Sequence, residues 1–199
     1  NVPDDLSDVV AISSGSYHNL ALHSNGTVTA WGGNGDGQSS VPEGLSDVVD
    51  ISAGDRHSYA LKSDGTVVHW GDNVTSGFDM TVPDGLSDVV ALETYHWTPL
   101  ALKSDSTVVA WGYNTYGGAN VPSGLTDIIE IAAGSYHSLA LKSDGTVMGW
   151  GRNNYSQLDP EYECGSCTRY NILGLTDVVA ISAATGHSLA LKSDGTVIG

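Results

Sequence analysis

The sequence repeats one pattern five times, with a period close to forty residues. An aspartate that precedes a pair of β-branched residues marks each copy, at Asp8, Asp47, Asp88, Asp127 and Asp177. The steps between copies are therefore 39, 41, 39 and 50 residues. Repeats of this length with many strand signals are typical of propellers and arrays of small sheets. The chain is expected to fold as a set of similar units, whose function lies where the copies differ.

Each copy gives three strand signals in the same order, and a helical pattern is missing. In copy one they are residues 9–12, residues 20–22 and a segment that leads to Trp31. These segments are apolar on both faces, so neighbouring sheets must cover each sheet on both sides. Radial stacking of small sheets provides that cover. The predicted fold is an all-β propeller with five visible blades of three to four strands.

The turn between the second and third strands has its own signature, Ser-Asp-Gly-Thr, as in residues 63–66. Asp-Gly predicts a tight type I′ hairpin, which makes these two strands antiparallel neighbours. Copy one has Asn25-Gly26, which serves the same purpose. Copy three has Asp105-Ser106, and the loss of glycine predicts a wider or strained turn.

The copies follow one another without a linker, which predicts a single domain over residues 1–199. They span approximately residues 1–40, 41–81, 82–120, 121–172 and 173–199. The chain begins inside an Asn-Val-Pro linker and ends one residue before the tryptophan expected in copy five. We therefore expect a fragment of a larger propeller, in preference to a complete five-bladed ring. An open arc would expose two apolar blade faces, which self-association or further blades would cover.

The charge of the chain argues against nucleic acid as a partner. The net charge is −16, with only seven lysines and arginines. Four of these, Lys62, Lys103, Lys142 and Lys192, occupy one repeat position, so no basic stripe for phosphates exists. The acidic surface is expected to favour solubility. No apolar run is long enough for membrane insertion.

Histidines and tryptophans recur at fixed repeat positions, which indicates a structural role. They are His18, His57, His137 and His187, and Trp31, Trp70, Trp111 and Trp150. Separate blades would hold the imidazoles too far apart for one metal ion, so each is expected to bond the backbone of a neighbouring blade. No nucleophile, base and acid recur at a plausible spacing. We expect no metal, no cofactor and no enzymatic activity.

A single insertion, residues 158–172, contains Cys164-Gly-Ser-Cys167. A local disulfide that braces this loop is the first interpretation, with free thiols as the alternative. Glycosylation sequons begin at Asn25, Asn73 and Asn154. Both features favour an extracellular or cell-surface location. Chance explains the Asn25 sequon equally well, because Asn25 also has a turn role.

The repeat resembles a known family. Residues 132–153, AAGSYHSLALKSDGTVMGWGRN, resemble the repeat of the regulator-of-chromosome-condensation superfamily of propellers. Residues 31–42, WGGNGDGQSSVP, and the short period resemble more closely its bacterial branch, typified by the propeller-type β-lactamase inhibitory protein. The resemblance implies a ring of seven blades, of which this chain shows five. It specifies function less, because this fold carries exchange factors, inhibitors and scaffolds.

The two residues before each repeated histidine position vary while their flanks stay nearly constant. The pairs are Ser16-Tyr17, Asp55-Arg56, His96-Trp97, Ser135-Tyr136 and Thr185-Gly186. In the resembling inhibitor family, these loops line one mouth of the ring and contact the bound enzyme. Tyr, Trp and Arg are typical of binding hot spots. The predicted partner-binding residues are Tyr17, Arg56, Tyr95, His96, Trp97 and Tyr136; tolerant surface turns are the alternative.

Copy three departs most from the pattern, since it loses a glycine and gains Tyr95, Trp97 and Pro99. The loops after the tryptophans, with Tyr113, Tyr116, Asn153 and Tyr155, form a second candidate surface, expected away from the mouth or at the far side of its rim. The leading hypothesis is a non-catalytic module that binds another protein. The alternatives are a building block of an extracellular assembly or virion, and an inhibitor of a secreted enzyme such as a β-lactamase. Guanine-nucleotide exchange is disfavoured by the acidic charge and short repeats.

Overall fold

The computed structural model describes residues 2–72, 74–75, 77–154, 167–171 and 175–199. These residues form five antiparallel sheets, numbered here as blades 1 to 5, and one two-stranded ribbon. Blades 1 and 2 contain β1 (Val9–Ser14), β2 (His18–His23), β3 (Val28–Gly32), β4 (Val48–Ala53), β5 (His57–Lys62) and β6 (Val67–Gly71). The ribbon is β7 (Val74–Thr75) and β8 (Phe78–Asp79), and blade 3 contains β9 (Val89–Tyr95), β10 (Thr98–Lys103) and β11 (Val108–Ala110). Blades 4 and 5 contain β12 (Ile128–Ala133), β13 (His137–Lys142), β14 (Val147–Gly151), β15 (Cys167–Asn171), β16 (Val178–Ala183), β17 (Ser188–Lys192) and β18 (Val197–Ile198).

This architecture confirms the predicted all-β propeller. Blade 4 has four strands, and the other blades have three among the described residues. None of the described residues belongs to a helix that is long and apolar enough to span a membrane.

The first strand of each blade lies innermost, around a central channel. β1 contacts β4, β4 contacts β9, β9 contacts β12, and β12 contacts β16. Each sheet then runs outward as an antiparallel meander. The loops between first and second strands therefore emerge at the same end as the segments that follow third strands. We call this the mouth end, and the opposite end, with the hairpins between second and third strands, the hairpin end.

The hydrophobic core of the described residues is divided into four clusters, one between each pair of consecutive blades. Between blades 3 and 4, for example, Leu100 and Ile131 pack with the fully buried Trp150. Neighbouring blades thus cover the sheets, as the apolar strand patterns predict. One apolar residue in the first strand of each blade is exposed to solvent and not covered. Val10, Val49, Val90, Ile129 and Val179 are 52–63% exposed, because the first strand bulges there and the extra residue leaves the ladder.

The predicted type I′ hairpin is wrong, although the strands are antiparallel neighbours as expected. Gly65 has a φ of 80°, whereas Asp64 has no positive φ. Gly65 N donates to Lys62 O and Lys62 N to Thr66 O, both at 2.9 Å. These bonds define a type I turn followed by a glycine bulge, which needs a positive φ at one residue only. In copy three Ser106 takes that place at a φ of 64° with the same hydrogen bond to Lys103, so the turn is strained but not wider.

Replacing Ser106 with glycine should stabilise the protein by about 0.5 kcal/mol. Glycine removes a steric cost of about 1 kcal/mol for the left-handed conformation and adds back part of it as unfolded-state entropy. Gly65→Ser is the matched control at the same position in blade 2. It should destabilise by about 1 kcal/mol, because its Cβ would also lie only 3.1 Å from the backbone of Asp88. Thermal unfolding of both variants checks the prediction, and a lower melting temperature for Ser106→Gly would contradict it.

The repeated aspartates and hairpins join consecutive blades at the hairpin end. Asp47 adopts a φ of 60°, and its four counterparts have φ values between 55° and 63°. Val48 N, directly after Asp47, donates to the carbonyl of Gly26 in the preceding blade at 3.0 Å. The same bond joins each later pair of blades. Aspartate tolerates the left-handed region better than most residues, which accounts for its presence at this position.

The repeated histidines bind the neighbouring blade through a serine hydroxyl, and the expected backbone acceptor is wrong. His18 Nε2 lies 2.8 Å from Ser58 Oγ, and His137 Nε2 lies 3.0 Å from Ser188 Oγ. Ser58 Oγ donates its single proton to Gln38 O, so His18 Nε2 must be the donor to Ser58. His187, in blade 5, is exposed.

His57 lacks this partner because blade 3 has a proline where the serine would be. Neither ring nitrogen of His57 has a hydrogen-bond partner among the described residues, and Pro99 occupies the position equivalent to Ser58. Burial, followed by repulsion from His69, lowers the pKa of His57 to about 3. Pro99 also has no amide proton, and β11 is correspondingly short. In blade 2 the serine hydroxyl of Ser58 donates to Gln38 O. Pro99 cannot make the equivalent bond to Met80 O, and the hydroxyl of Tyr59 donates to that carbonyl instead.

Each buried repeated tryptophan anchors the segment that links its blade to the preceding one. Trp70 Nε1 donates to Gln38 O at 2.9 Å, and Trp150 Nε1 donates to Gly118 O at 2.7 Å. Trp111 Nε1 lies 3.3 Å from Met80 O. Trp31, at the open side of blade 1, is only half-buried. These contacts support the structural role expected for this position.

Two sequence-based predictions fall outside the described residues. Cys164 is not among them, and the side chain of Cys167 is not described either, so the disulfide stays a prediction. Asn73 is also outside them. Asn25 lies in the first hairpin, where its Oδ1 accepts bonds from Thr27 N at 3.0 Å and Thr27 Oγ1 at 2.7 Å. Asn154 is exposed. Glycosylation at these positions stays a prediction.

Candidate protein-binding mouth

Five aromatic side chains form one continuous cluster at the mouth end. We call Phe78, Trp97, Tyr113, Tyr116 and Tyr136 the aromatic cluster. The ring centroid of Trp97 lies 5.6 Å from that of Tyr113 and 6.1 Å from that of Tyr136. Tyr113 and Tyr116 lie 5.7 and 5.2 Å from Tyr136, and Phe78 lies 4.6 Å from Tyr113. All five are half-buried, so part of each ring remains open to solvent.

Loops of blades 3 and 4, the ribbon after blade 2 and one arginine hold these rings together. Trp97 and Tyr136 lie in the loops between first and second strands of blades 3 and 4, whereas Tyr113 and Tyr116 follow the third strand of blade 3. Phe78 comes from the ribbon after blade 2. Arg152, which follows β14, lies with its guanidinium carbon 4.9 Å from the Tyr116 centroid and 5.3 Å from the Tyr136 centroid. This cation–π contact holds the two tyrosines in place.

The loop of blade 2 orients Trp97. The indole Nε1 of Trp97 donates to Oδ2 of Asp55 at 3.1 Å, and Asp55 is buried. The guanidinium of Arg56 lies 3.7 Å from Oδ2 of Asp55 and 3.7 Å from Oδ2 of Asp36. Trp97 is thus fixed before any partner binds, which lowers the entropy lost on association.

The altered loop of copy three reaches across the mouth. His96 has a left-handed φ of 52°, and its ring stacks on that of Tyr95 at 4.7 Å and 5°. The hydroxyl of Tyr95 lies 3.3 Å from Thr185 Oγ1 in blade 5, and His96 Nδ1 lies 3.3 Å from Ser135 Oγ in blade 4. A backbone bond from Asp55 N to His96 O, at 3.1 Å, joins blade 2. This loop therefore contacts three other blades.

Three carboxylates line the central channel below the mouth. Asp50, Glu93 and Glu130 lie on the innermost strands of blades 2, 3 and 4, around a cavity of about 210 Å³. Glu130 Oε1 accepts a bond from Ile181 N of blade 5 at 3.2 Å. Desolvation by the channel walls, followed by repulsion from Asp50 and Glu130, raises the pKa of Glu93 to about 7. Burial also raises the pKa of Asp50.

Glu93→Gln should stabilise the protein at pH 8 and leave its stability at pH 5 nearly unchanged. The pKa of Glu93 is 4.5 in the unfolded chain and about 7 in the folded protein. Between these two pH values the folded state binds more protons than the unfolded state, so the free energy of unfolding falls as pH rises. Solvent reaches Glu93, so the gain at pH 8 is limited to about 1 kcal/mol. Melting temperatures of variant and wild type at both pH values test this, and an equal difference at pH 5 and pH 8 would contradict it.

Comparison with known proteins decides the type of repeat. The family profile of the Regulator of chromosome condensation (RCC1) repeat matches residues 9–38, 48–77 and 128–157. The fold is that of an RCC1-type repeat propeller. No curated protein sequence matches the chain significantly.

Several solved structures, yeast RCC1 among them, superpose on this chain over nearly its whole length. Human WBSCR16 is 19% identical with a TM-score of 0.78, over 95% of this chain and 61% of its own. Yeast RCC1 (Prp20), solved with Kap60 bound, is 18% identical with a TM-score of 0.60, over 98% and 70%. The ectodomain of the Physcomitrella patens receptor kinase CR4 is 20% identical with a TM-score of 0.72, over 97% and 50%. The chain thus spans about three fifths of the human protein, and these identities show the fold alone.

The RCC1-type meander explains why the two predicted surfaces are one. The second candidate surface is expected away from the mouth or at the far side of its rim; instead two of its rings, Tyr113 and Tyr116, contact Trp97 and Tyr136. Asn153 of that surface is buried, and Tyr155 lies outside the described residues. In a meander of three strands, the loop after the first strand and the segment after the third must lie at the same end. Strand order therefore brings both sets of variable residues together.

The six predicted partner-binding residues do not all lie together. Tyr95, His96, Trp97 and Tyr136 join one chain of ring contacts, and Arg56 adjoins it through Asp55. Tyr17 is 61% exposed and touches none of the described aromatic rings. Sequence reasoning did not select Phe78 and Arg152. Their only signals are that Phe78 is the sole phenylalanine of the chain and that Arg152 is one of few cations.

Proposed function

We propose that this RCC1-type propeller is a non-catalytic module that binds another protein through the aromatic cluster at its mouth end. The observation that carries the proposal is the continuity of five half-buried rings, held by contacts between blades. Large aromatic side chains in fixed positions contribute most of the binding energy at protein interfaces.

The structure of the loops supports a partner of protein size. The cluster extends from the ribbon of blade 2 to Arg152 of blade 4, and the Tyr95–His96 stack continues it over the channel. A surface of this kind offers several shallow contacts, as protein interfaces do. The structure of yeast RCC1 with Kap60 bound is consistent with a role of this fold in protein binding.

The first experiment is affinity capture with three forms of the protein as bait. Wild type, the Tyr17→Ala variant and the Trp97→Ala, Tyr136→Ala double variant are incubated with medium and extract from the source organism. Bound proteins are identified by mass spectrometry and then purified for direct binding. We expect a partner that wild type and Tyr17→Ala retain and the double variant loses. A partner that all three forms retain equally would contradict the mouth as its site.

A second candidate function is self-association through the open blade faces, as expected of a building block. Ile12 of blade 1 is 74% exposed, and Leu189 and Leu191 of blade 5 are also exposed. The equivalent residues between inner blades, such as Ile51 and Leu20, are buried against the adjacent blade. Size-exclusion chromatography with light scattering tests this proposal, since a building block gives a concentration-dependent oligomer and a mouth-binding module gives a monomer.

The finer identity of the partner rests on the sequence resemblance alone. A secreted enzyme such as a β-lactamase is one proposed partner, and an extracellular or cell-surface location is proposed with it. Titrating the protein into a β-lactamase with a chromogenic substrate tests the inhibitor hypothesis directly. Unchanged turnover at micromolar protein would remove that enzyme class.

A further inference from the structure

The positive charges at the mouth end are already engaged within the molecule. Arg56 lies 3.7 Å from both Asp36 and Asp55, and Arg152 lies against Tyr116 and Tyr136. The repeated lysines lie at the hairpin end, where Lys62, Lys103 and Lys142 pair with hairpin aspartates at 3.8–3.9 Å. Among the described residues, the mouth therefore presents aromatic faces without an unengaged cation.

The negative charges below the mouth, in contrast, have no cationic partner among the described side chains. In the part of the chain that the structure describes, no lysine or arginine forms an ion pair with Asp50, Glu93 or Glu130. Glu93 lies two residues before Tyr95 on the same strand and is exposed to solvent. The channel walls limit hydration of these carboxylates, and their field is focused towards the opening.

We propose that the partner segment that binds the aromatic cluster is basic, with an arginine or lysine that lies across the open ring faces and directs its charge towards Glu93. This inference rests on the proposed function. Ring faces of tyrosine and tryptophan attract cations, and the net charge of −16 draws a basic segment to the surface and repels an acidic one. The aromatic rings supply contact area, and the charge selects among segments that could cover them.

The same arrangement links binding to protons. A cation near Glu93 favours its ionised form, so it lowers the pKa of that carboxyl. Binding then releases a proton whenever free Glu93 is partly protonated, and affinity increases with pH through that range. Glu93→Gln removes the titrating group and keeps the shape of the side chain, so affinity for the variant should not increase with pH.

A random peptide library provides a probe that does not presuppose the partner. Displayed 12-residue peptides are selected on the full chain and, in parallel, on the Trp97→Ala, Tyr136→Ala double variant. The two forms have the same net charge, so non-specific attraction of basic peptides is equal for both. Peptides that bind only the wild type are synthesised, and their affinities are measured by calorimetry at pH 6 and pH 8.

We expect the mouth-dependent peptides to contain an excess of arginine and lysine over aspartate and glutamate. Their affinity for wild type should rise several-fold from pH 6 to pH 8 and should stay constant for Glu93→Gln. Mouth-dependent peptides that are neutral or acidic, or whose pH dependence survives Glu93→Gln, would overturn the inference and leave the mouth as a binding site. Failure to obtain any mouth-dependent peptide would count against the proposed function itself.

Discussion

Trp150→Ala should lower the free energy of unfolding by about 3–5 kcal/mol, the range found for large buried aromatic residues. Trp150 is fully buried between blades 3 and 4, and its indole bond to Gly118 O holds the linking segment at 2.7 Å. Alanine would leave a cavity, and Gly118 O would keep only the bond that it accepts from Ser138 Oγ at 3.0 Å. Urea denaturation followed by circular dichroism measures the change.

The chain itself offers a matched control in Trp31→Ala. The chemical change and the repeat position are the same, but Trp31 is half-buried because no described blade precedes blade 1. We expect a cost of about 1–2 kcal/mol for this variant, in proportion to the smaller area it buries. Equal costs for the two variants would mean that the tryptophan stabilises its own blade, and that packing between blades contributes little.

Trp97→Ala should weaken partner binding by about 2–4 kcal/mol, or roughly 30- to 1,000-fold, as expected for a central aromatic hot spot. Trp97 contacts Tyr113 and Tyr136 and is oriented by Asp55. Its loss removes the largest ring and frees the neighbours that pack on it. Biolayer interferometry with the purified partner measures the affinity.

Tyr17→Ala is the matched control for binding, because Tyr17 occupies the equivalent position in blade 1. It is 61% exposed and lies outside the aromatic cluster, so the variant should bind within about twofold of wild type. Tyr17→Ala should keep a melting temperature near that of wild type because Tyr17 is exposed. Trp97→Ala should cost about 1–2 kcal/mol of stability, as for half-buried Trp31, and circular dichroism checks that the variant is folded. A comparable loss of affinity in both would indicate a binding surface spread over all the mouth loops.

The repeat period and strand signals predicted the blades, because each copy buries its apolar strands only against its neighbours. The partner of the repeated histidines was not predictable in detail. His18 bonds Ser58 and not a backbone group, and that choice depends on how closely two blades approach. The type of hairpin turn was also missed. Gly65 needs the positive φ, whereas Asp64 does not, and the dipeptide alone fits either geometry.

The candidate site was predicted in part. Copy three indicated Tyr95, His96 and Trp97, which the structure places together. The loops after the first strands and the segments after the third strands lie at the same end because of the strand order. Their proximity could therefore have been predicted from the sequence. The contact of Phe78 with Tyr113 was not, because it depends on how an irregular ribbon folds back over blade 3. The raised pKa of Glu93 likewise depends on distances between blades that no local pattern records.

Hydroxyl-radical footprinting of the complex with its partner tests whether the aromatic cluster is the binding surface. The reactivity of Trp97, Tyr113, Tyr116 and Tyr136 is compared by mass spectrometry in the free and bound protein. Binding should protect these rings at least about fivefold and leave Tyr17 and the blade faces unchanged. Unchanged reactivity of the aromatic cluster, with protection of Ile12 or Leu189 instead, would contradict this expectation and favour contact through the open blade faces.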